Sequence, residues 1–256
     1  MQLHPDAEAS GVRLIAYDTL GSTNAEALAR GRTGERGPLW LTAARQTAGR
    51  GRRGNAWVSE PGNLYASLLL TDAAPAAHLP ELCFVVALAV RDAVCAAAPR
   101  LAPEIKLKWP NDLLLGGAKL AGILIEAESA GKRTSIAAGV GLNCAHHPDT
   151  RAAAATSLAA QGATVTPAAL MTVLSRTMIA RLAQWGRGAG FAAIRSEWLS
   201  HAAGLGGDIQ VRLPDRELSG TFETLDPAGR LMLRLPGGSI EAITAGEVFP
   251  LVRVPA

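Results

Sequence analysis

KWPNDLLLGGAKLAGILIE, residues 108–126, joins two strand-forming apolar runs through Gly116-Gly117 and seeds them with Lys108, Lys119 and an Asn-Asp pair. A Gly-Gly step between apolar runs is a tight-turn signal. The runs therefore read as antiparallel neighbours, because parallel pairing would need a crossover of a dozen or more residues. A solvated sheet face tolerates scattered polar residues, but this density beside Pro110 points to a ligand.

The same periodicity extends on both sides. Strands are expected at Ile105–Trp109 with Leu113–Leu115, at Leu120–Ala127 and at Ser135–Leu142, the last two joined across Ala130-Gly131. Upstream, a strand at Leu14–Tyr17 precedes GSTNAEALAR, where Ser22, Thr23 or Asn24 can cap a helix. A loop rich in Gly and Arg, Arg30–Pro38, leads to a strand at Leu39–Ala44, and a second such loop leads to the buried-type strand LYASLLL. Pro80 is expected to open the helix ELCFVVALAVRDAVCAAA, which is apolar nearly all round and so belongs in a core. Downstream, Thr166-Pro167 is an N-cap followed by proline at the first helical position, for a helix ending at Gly186, and another helix covers Phe191–Ser200. From Gly207 onward the pattern turns to short alternating strands with turns at Pro214-Asp215, Asp226-Pro227 and Gly237-Gly238, which suggests a small β-barrel. The expected organisation is α+β, with a main domain over residues 1–204 and a β satellite over 205–256.

Composition narrows the function classes. Of 256 residues, 48% are hydrophobic and 18% charged, so the chain can bury a core and is not disordered. The longest apolar run, Leu82–Val90, is too short to span a bilayer, and MQLHPDAEASGVR has no apolar signal segment, so a cytoplasmic protein with no membrane partner is expected. Cys83, Cys95 and Cys144 are odd in number and form no CxxC pair, which argues against disulfides and a zinc site; they read as small buried hydrophobes. A net charge of +3 gives weak grounds for non-specific nucleic-acid binding.

Local clusters carry more. RQTAGRGRRGNAW, residues 45–57, follows a strand with four arginines and three glycines. Gly49, Gly51 and Gly54 let backbone approach a ligand, while Arg50, Arg52 and Arg53 offer planar donors to carboxylate or phosphate oxygens. A solvated loop or an RGG-like nucleic-acid segment is the plainer alternative. There is no Walker A loop and no GxSxG elbow, and the GxG at Gly139-Val140-Gly141 is too short for a dinucleotide fingerprint. His146-His147 lacks partners at ligand spacing, so no metal site is expected.

GSTN at 21–24, QTAGRGRRGNAW at 46–57, KWPNDLLL at 108–115, KLAGILIE at 119–126 and GVGLN at 139–143 resemble, in order and approximate spacing, the biotin protein ligases. The resemblance spans roughly residues 14–252. It implies a catalytic domain similar to class II aminoacyl-tRNA synthetases, with a mixed or antiparallel sheet, followed by an SH3-like C-terminal domain. The implied reaction joins biotin and ATP, with Mg2+, into biotinyl-5′-adenylate, then passes the biotinyl group to a lysine of a biotin carboxyl carrier domain such as that of acetyl-CoA carboxylase.

By the same resemblance, Lys119 contacts the biotin carboxylate and phosphoryl oxygens, and Arg50 and Arg52, with Gly49 and Gly51, order over biotin and the adenylate. Ser22, Thr23, Asn24 and Gln46 read the ureido ring. Trp57, Lys108, Asn111 and Asn143 lie on the nucleotide side, and Asp112 orients Lys119 or an amine or helps hold the metal. Lys108 either pairs with Asp112 or reaches the triphosphate. The segment 151–162 covers the adenine, and Arg253 is a weaker candidate at the C-terminus. Too few residues precede the first strand for a DNA-binding fold, so no operator binding is expected. The oligomeric state stays open, a homodimer included. A lipoate or octanoate ligase on a similar scaffold, or a nucleic-acid binder built on Arg45–Arg53, are the competing readings.

Overall fold

The computed structural model describes residues 1–149 and 154–250. A short helix α1 (Pro5–Ala9) precedes strand β1 (Arg13–Leu20), helix α2 (Thr23–Arg32) and strand β2 (Leu39–Gln46). The β1 and β2 strands pair in parallel, as a strand–helix–strand unit allows. Strand β3 (Leu64–Thr71), helix α3 (Leu82–Ala97) and the strands β4 (Ile105–Lys108), β5 (Asp112–Leu115), β6 (Ala118–Ala130) and β7 (Arg133–Leu142) follow. The seven strands form one mixed sheet in the order β1-β2-β3-β7-β6-β5-β4. The 108–126 stretch thus supplies antiparallel β5 and β6, and Ala130-Gly131 turns β6 into antiparallel β7, as expected from the turn residues.

Two faces follow from the period-2 alternation of the strands. On β3, Leu64, Ala66, Leu68 and Leu70 face the main core under α3 and under α4 (Pro167–Trp185), while Leu69 joins Ala27, Leu28, Leu39, Leu41 and Ala137 beneath α2. The α2 face also carries Ser67 opposite Gly139, and Glu126 opposite Ala137 one same-face pair along. Helix α5 (Phe191–Ser200) packs on α3, with Phe84 edge-to-face against Phe191 at 5.6 Å and Trp198 at 5.4 Å.

One expectation is corrected and one is narrowed. Helix α3 does not start at Pro80; residues Ala76–Glu81 form a tighter 3-10 segment and the α-helix begins at Leu82. Proline has no N–H to return to an α ladder, so the turn closes by i→i+3 bonding, with Leu82 N–H donating to Leu79 O. The C-terminal strands β8 (Asp208–Arg212), β9 (Glu217–Leu225), β10 (Leu231–Arg234), β11 (Ile240–Ile243) and β12 (Glu247–Pro250) do not close a barrel among the described residues. They form an antiparallel sheet in the order β11-β10-β9-β8-β12, in which two consecutive four-residue strands take opposite edges and do not pair with each other.

This sheet is fastened to the rest. Trp109 Nε1 donates to Gly229 O at 3.1 Å, and Arg195 Nη1 donates to Leu225 O at 2.7 Å. Gly229 has φ +79°, and a Cβ there would stand 2.7 Å from Phe84 Cε2, so only glycine fits that approach. Among the described residues no helix is long and apolar enough to cross a membrane.

Candidate active site

Ser22 is the N-cap of α2, its Oγ accepting from Ala25 N–H, which sets Thr23 and Asn24 in the first turn, pointed at the sheet and buried. Gln46, the last residue of β2, accepts from Thr23 N–H at 2.8 Å through Oε1, which also lies 3.1 Å from Thr23 Oγ1. Its Nε2 donates to Ser59 Oγ at 2.9 Å. Beneath them Ser67 Oγ lies 2.7 Å from Thr23 Oγ1 and 2.6 Å from Asn24 Oδ1. Asn24 Nδ2 donates to Leu124 O at 3.1 Å and to Glu126 Oε2 at 2.8 Å. The result is a polar nest with defined donor and acceptor directions, suited to a small neutral polar group.

Glycines make room for it. A Cβ on Gly139 would lie 2.3 Å from Asn24 Oδ1, and Cβ atoms on the paired Gly122 and Gly141 would meet the Trp57 ring at 2.9 Å and 2.5 Å. The GVG at 139–141 therefore seats an amide and an indole rather than a phosphate. Gly139→Ala is expected to drive Asn24 off its partners and destabilise the fold by about 1–3 kcal/mol, the usual cost of overpacking, as read by denaturant unfolding.

Beyond this nest the character becomes cationic. Lys119, near the start of β6, places Nζ 2.7 Å from Asp112 Oδ1, and Lys108 Nζ is 3.5 Å from Asp112 Oδ2. The same Lys119 amine sits 5.4 Å from the centroid of the Trp57 ring, within cation–π range. Trp57 belongs to the arginine loop, and its Nε1 is buried with no hydrogen-bond partner among the described residues. Arg52 Nη1 donates to Asn111 Oδ1 at 3.0 Å and approaches Gly246 O at 3.5 Å, while Asn111 Nδ2 donates to Ile123 O. Arg50 pairs with Glu126 at 3.0 Å. Four cations, Arg50, Arg52, Lys108 and Lys119, thus face two carboxylates, Asp112 and Glu126. The surplus positive charge lies where the arginine loop meets the β5–β6 hairpin.

Asp112 orients Lys119 directly, and Lys108 pairs with Asp112. Asn143 is buried, with Nδ2 donating to Thr156 O at 2.9 Å and its carbonyl accepting from Leu158 N–H, so it ties down the segment that follows. That segment runs beside Lys119, with Lys119 N–H donating to Ala154 O and Thr156 N–H to Lys119 O. Residues 151–153 of the expected adenine-side loop, and Arg253, lie outside the described residues. Gly49 packs beneath the loop, where a Cβ would stand 2.4 Å from Trp57 O.

Cys144 is buried and Cys83 and Cys95 partly so. The Cys83 thiol donates to Pro110 O, and burial pushes its pKa up to about 12, so it supports the 108–112 turn as a neutral group and is no nucleophile. Ser59, Ser67 and Glu126 carry site contacts that the sequence reading did not assign. A buried serine in an apolar strand and a glutamate at the end of KLAGILIE were the available signals.

The geometry can be set beside known proteins. The model of the biotin/lipoate A/B protein ligase family matches residues 25–143, and that of the biotin protein ligase C-terminal domain matches residues 204–249. A biotin–[acetyl-CoA-carboxylase] ligase of Paracoccus denitrificans is 42% identical over 238 residues, covering 89% of this chain and 96% of its own length. Its counterpart in Mycobacterium tuberculosis is 34% identical over 239 residues, covering 90% and 86%. Among solved structures, a biotin protein ligase from Aquifex aeolicus in complex with biotin and ATP superposes with a TM-score of 0.77 at 24% identity, covering 93% of this chain and 97% of that one, which establishes the shared fold.

Proposed function

We propose, from the premise that this chain belongs to the biotin–[acetyl-CoA-carboxylase] ligase family, that it activates biotin with ATP and transfers it to a lysine of a biotin carboxyl carrier domain. One observation supports this most: the Lys119 amine, held by Asp112, meets the arginine loop at Trp57 beside a nest of directed polar groups. A carboxylate and a triphosphate repel each other, and fixed positive charge at their meeting point is what their reaction needs.

In the first step a biotin carboxylate oxygen attacks the α-phosphorus, the bond to the bridging oxygen breaks, and pyrophosphate leaves. Lys119 would neutralise the carboxylate and the developing charge on the α-phosphoryl oxygens, its amine held 2.7 Å from Asp112 Oδ1. Thr23, Gln46 and Ser22 would read the ureido ring, while Arg50 and Arg52, with the Gly49 and Gly51 backbone, would close over the bound adenylate and exclude water. Trp57, Lys108, Asn111 and Asn143 would form the nucleotide side, Asn143 through the segment it anchors. In the second step the carrier amine attacks the acyl carbon, AMP leaves, and one proton is released.

Magnesium enters here as part of the nucleotide substrate. Among the described residues no three His, Cys, Asp or Glu groups cluster to hold an ion, and Asp112 is already shared by two lysines. The phosphates would carry most of the coordination.

Incubation with MgATP and biotin, following pyrophosphate release and then labelling of a biotin carboxyl carrier domain, tests the reading. Biotin-dependent release is the expected result. Release with lipoate or octanoate but not with biotin would overturn it, as would tight, steeply salt-dependent DNA binding without any pyrophosphate.

A further inference from the structure

The Asn24 side chain has every hydrogen-bonding group engaged: Nδ2 reaches Leu124 O and Glu126 Oε2, and Oδ1 faces Ser67 Oγ. Its amide orientation decides more than its own contacts. Ser67 and Thr23 each carry one hydroxyl proton, yet three oxygen–oxygen contacts must share them: Ser67 to Asn24, Ser67 to Thr23, and Thr23 to Gln46.

A carboxylate can only accept, so Glu126 forces the Asn24 NH2 toward itself and leaves Oδ1 facing Ser67. At 2.6 Å that oxygen requires the Ser67 proton, since two bare oxygens so close would repel. Ser67 must then accept from Thr23, whose proton points down into the sheet at 2.7 Å. The remaining Thr23–Gln46 contact is the longest, and Gln46 Oε1 is already satisfied by Thr23 N–H at 2.8 Å. The Thr23 oxygen is left with its lone pair available to a ligand.

We infer that Glu126 is a positioning residue which sets the direction of the Asn24–Ser67–Thr23 hydrogen-bond chain, so that Thr23 presents an acceptor to a urea N–H of biotin. This rests on the biotin reading above. Without the carboxylate the Asn24 NH2 keeps only its longer, neutral bond to Leu124 O at 3.1 Å, so the amide turns over more readily and Thr23 then samples the donor orientation that a urea N–H cannot use. The Arg50 pair to the same Oε2 is half exposed and contributes little by itself.

Steady-state pyrophosphate release by the full chain, with biotin and ATP varied separately, tests the inference through two substitutions. Glu126→Ala is expected to raise KM for biotin about fivefold to tenfold, the scale of one misdirected hydrogen bond, with KM for ATP and kcat within about twofold. Glu126→Gln can accept from or donate to Asn24, with Leu124 O still favouring the native orientation, and is expected to raise biotin KM only about twofold to threefold, less than the alanine. Equal shifts in both KM values, an unchanged biotin KM in Glu126→Ala, or a Glu126→Gln variant as impaired as the alanine would overturn it. Absence of biotin-dependent release from the unsubstituted chain would instead remove the biotin reading itself, so the two failures are distinguishable.

Discussion

Lys119→Ala is expected to lower the rate of biotin-dependent adenylate formation by at least about 10²-fold, the usual scale for removing one preorganised electrostatic contact. The amine is held by Asp112 Oδ1 at 2.7 Å and backed by the Trp57 ring, so it needs little reorganisation when charge develops. Its backbone is fixed as well, hydrogen-bonded to Ala154 and Thr156 on one side while β6 pairs with β5 on the other. Truncation should therefore leave the sheet intact. Single-turnover pyrophosphate release measures the chemical step directly, and near-normal turnover with a normal melting curve would take Lys119 out of the reaction. Lys119→Arg is expected to recover little, because a planar fork cannot reproduce a compact point charge aimed by one carboxylate.

For Arg52→Gly the expected result is loss of retention rather than of chemistry. Arg52 spans from the arginine loop to Asn111 and toward Gly246, so its removal frees the loop from the 108–112 turn. A hydrogen bond from a charged group is worth about 1.5–3 kcal/mol, which corresponds to adenylate release faster by about tenfold to 100-fold. Escaped biotinyl adenylate acylates lysines at random. Labelling of an unrelated protein, such as serum albumin, measures that escape; carrier selectivity equal to that of the parent would mean that Arg52 does not hold the loop closed.

The sheet was legible because its strands announce themselves by local signals. Gly116-Gly117 and Ala130-Gly131 dictate antiparallel hairpins, and Thr166-Pro167 dictates the start of α4; the structure shows all three. The start of α3 was misread because the proline signal marks a helical turn without distinguishing 3-10 from α. The small C-terminal β domain was legible, but not its strand order, because short alternating strands define edges and turns and leave open which edge strands meet, a matter of long-range pairing. At the site, Lys119, Asp112 and the arginine loop stood out as charges in apolar or glycine-rich surroundings. Ser67 and Glu126 did not, since their meaning comes from β3, β7 and β6 lying side by side under α2, a juxtaposition with no local trace. The GVG glycines were set aside as too short for a dinucleotide fingerprint, and their actual use, missing side chains that accommodate Asn24 and Trp57, had no local signal.

Trp109, Gly229, Phe84 and Phe191 share one buried junction, and Ile209, Val211, Phe222 and Leu225 belong to the same apolar cluster as Leu88 and Leu113. The C-terminal strands are consequently not an appendage that could be clipped off without harm. Severing the chain ahead of β8 would wet a tryptophan and two phenylalanines at once and withdraw the carbonyl that Trp109 donates to, one residue from the Pro110 turn. Melting should accordingly occur in a single cooperative step, and a lesion on the outer sheet should be felt as lost affinity at a site that sheet reaches only at its β12 edge, through Gly246 and Phe249.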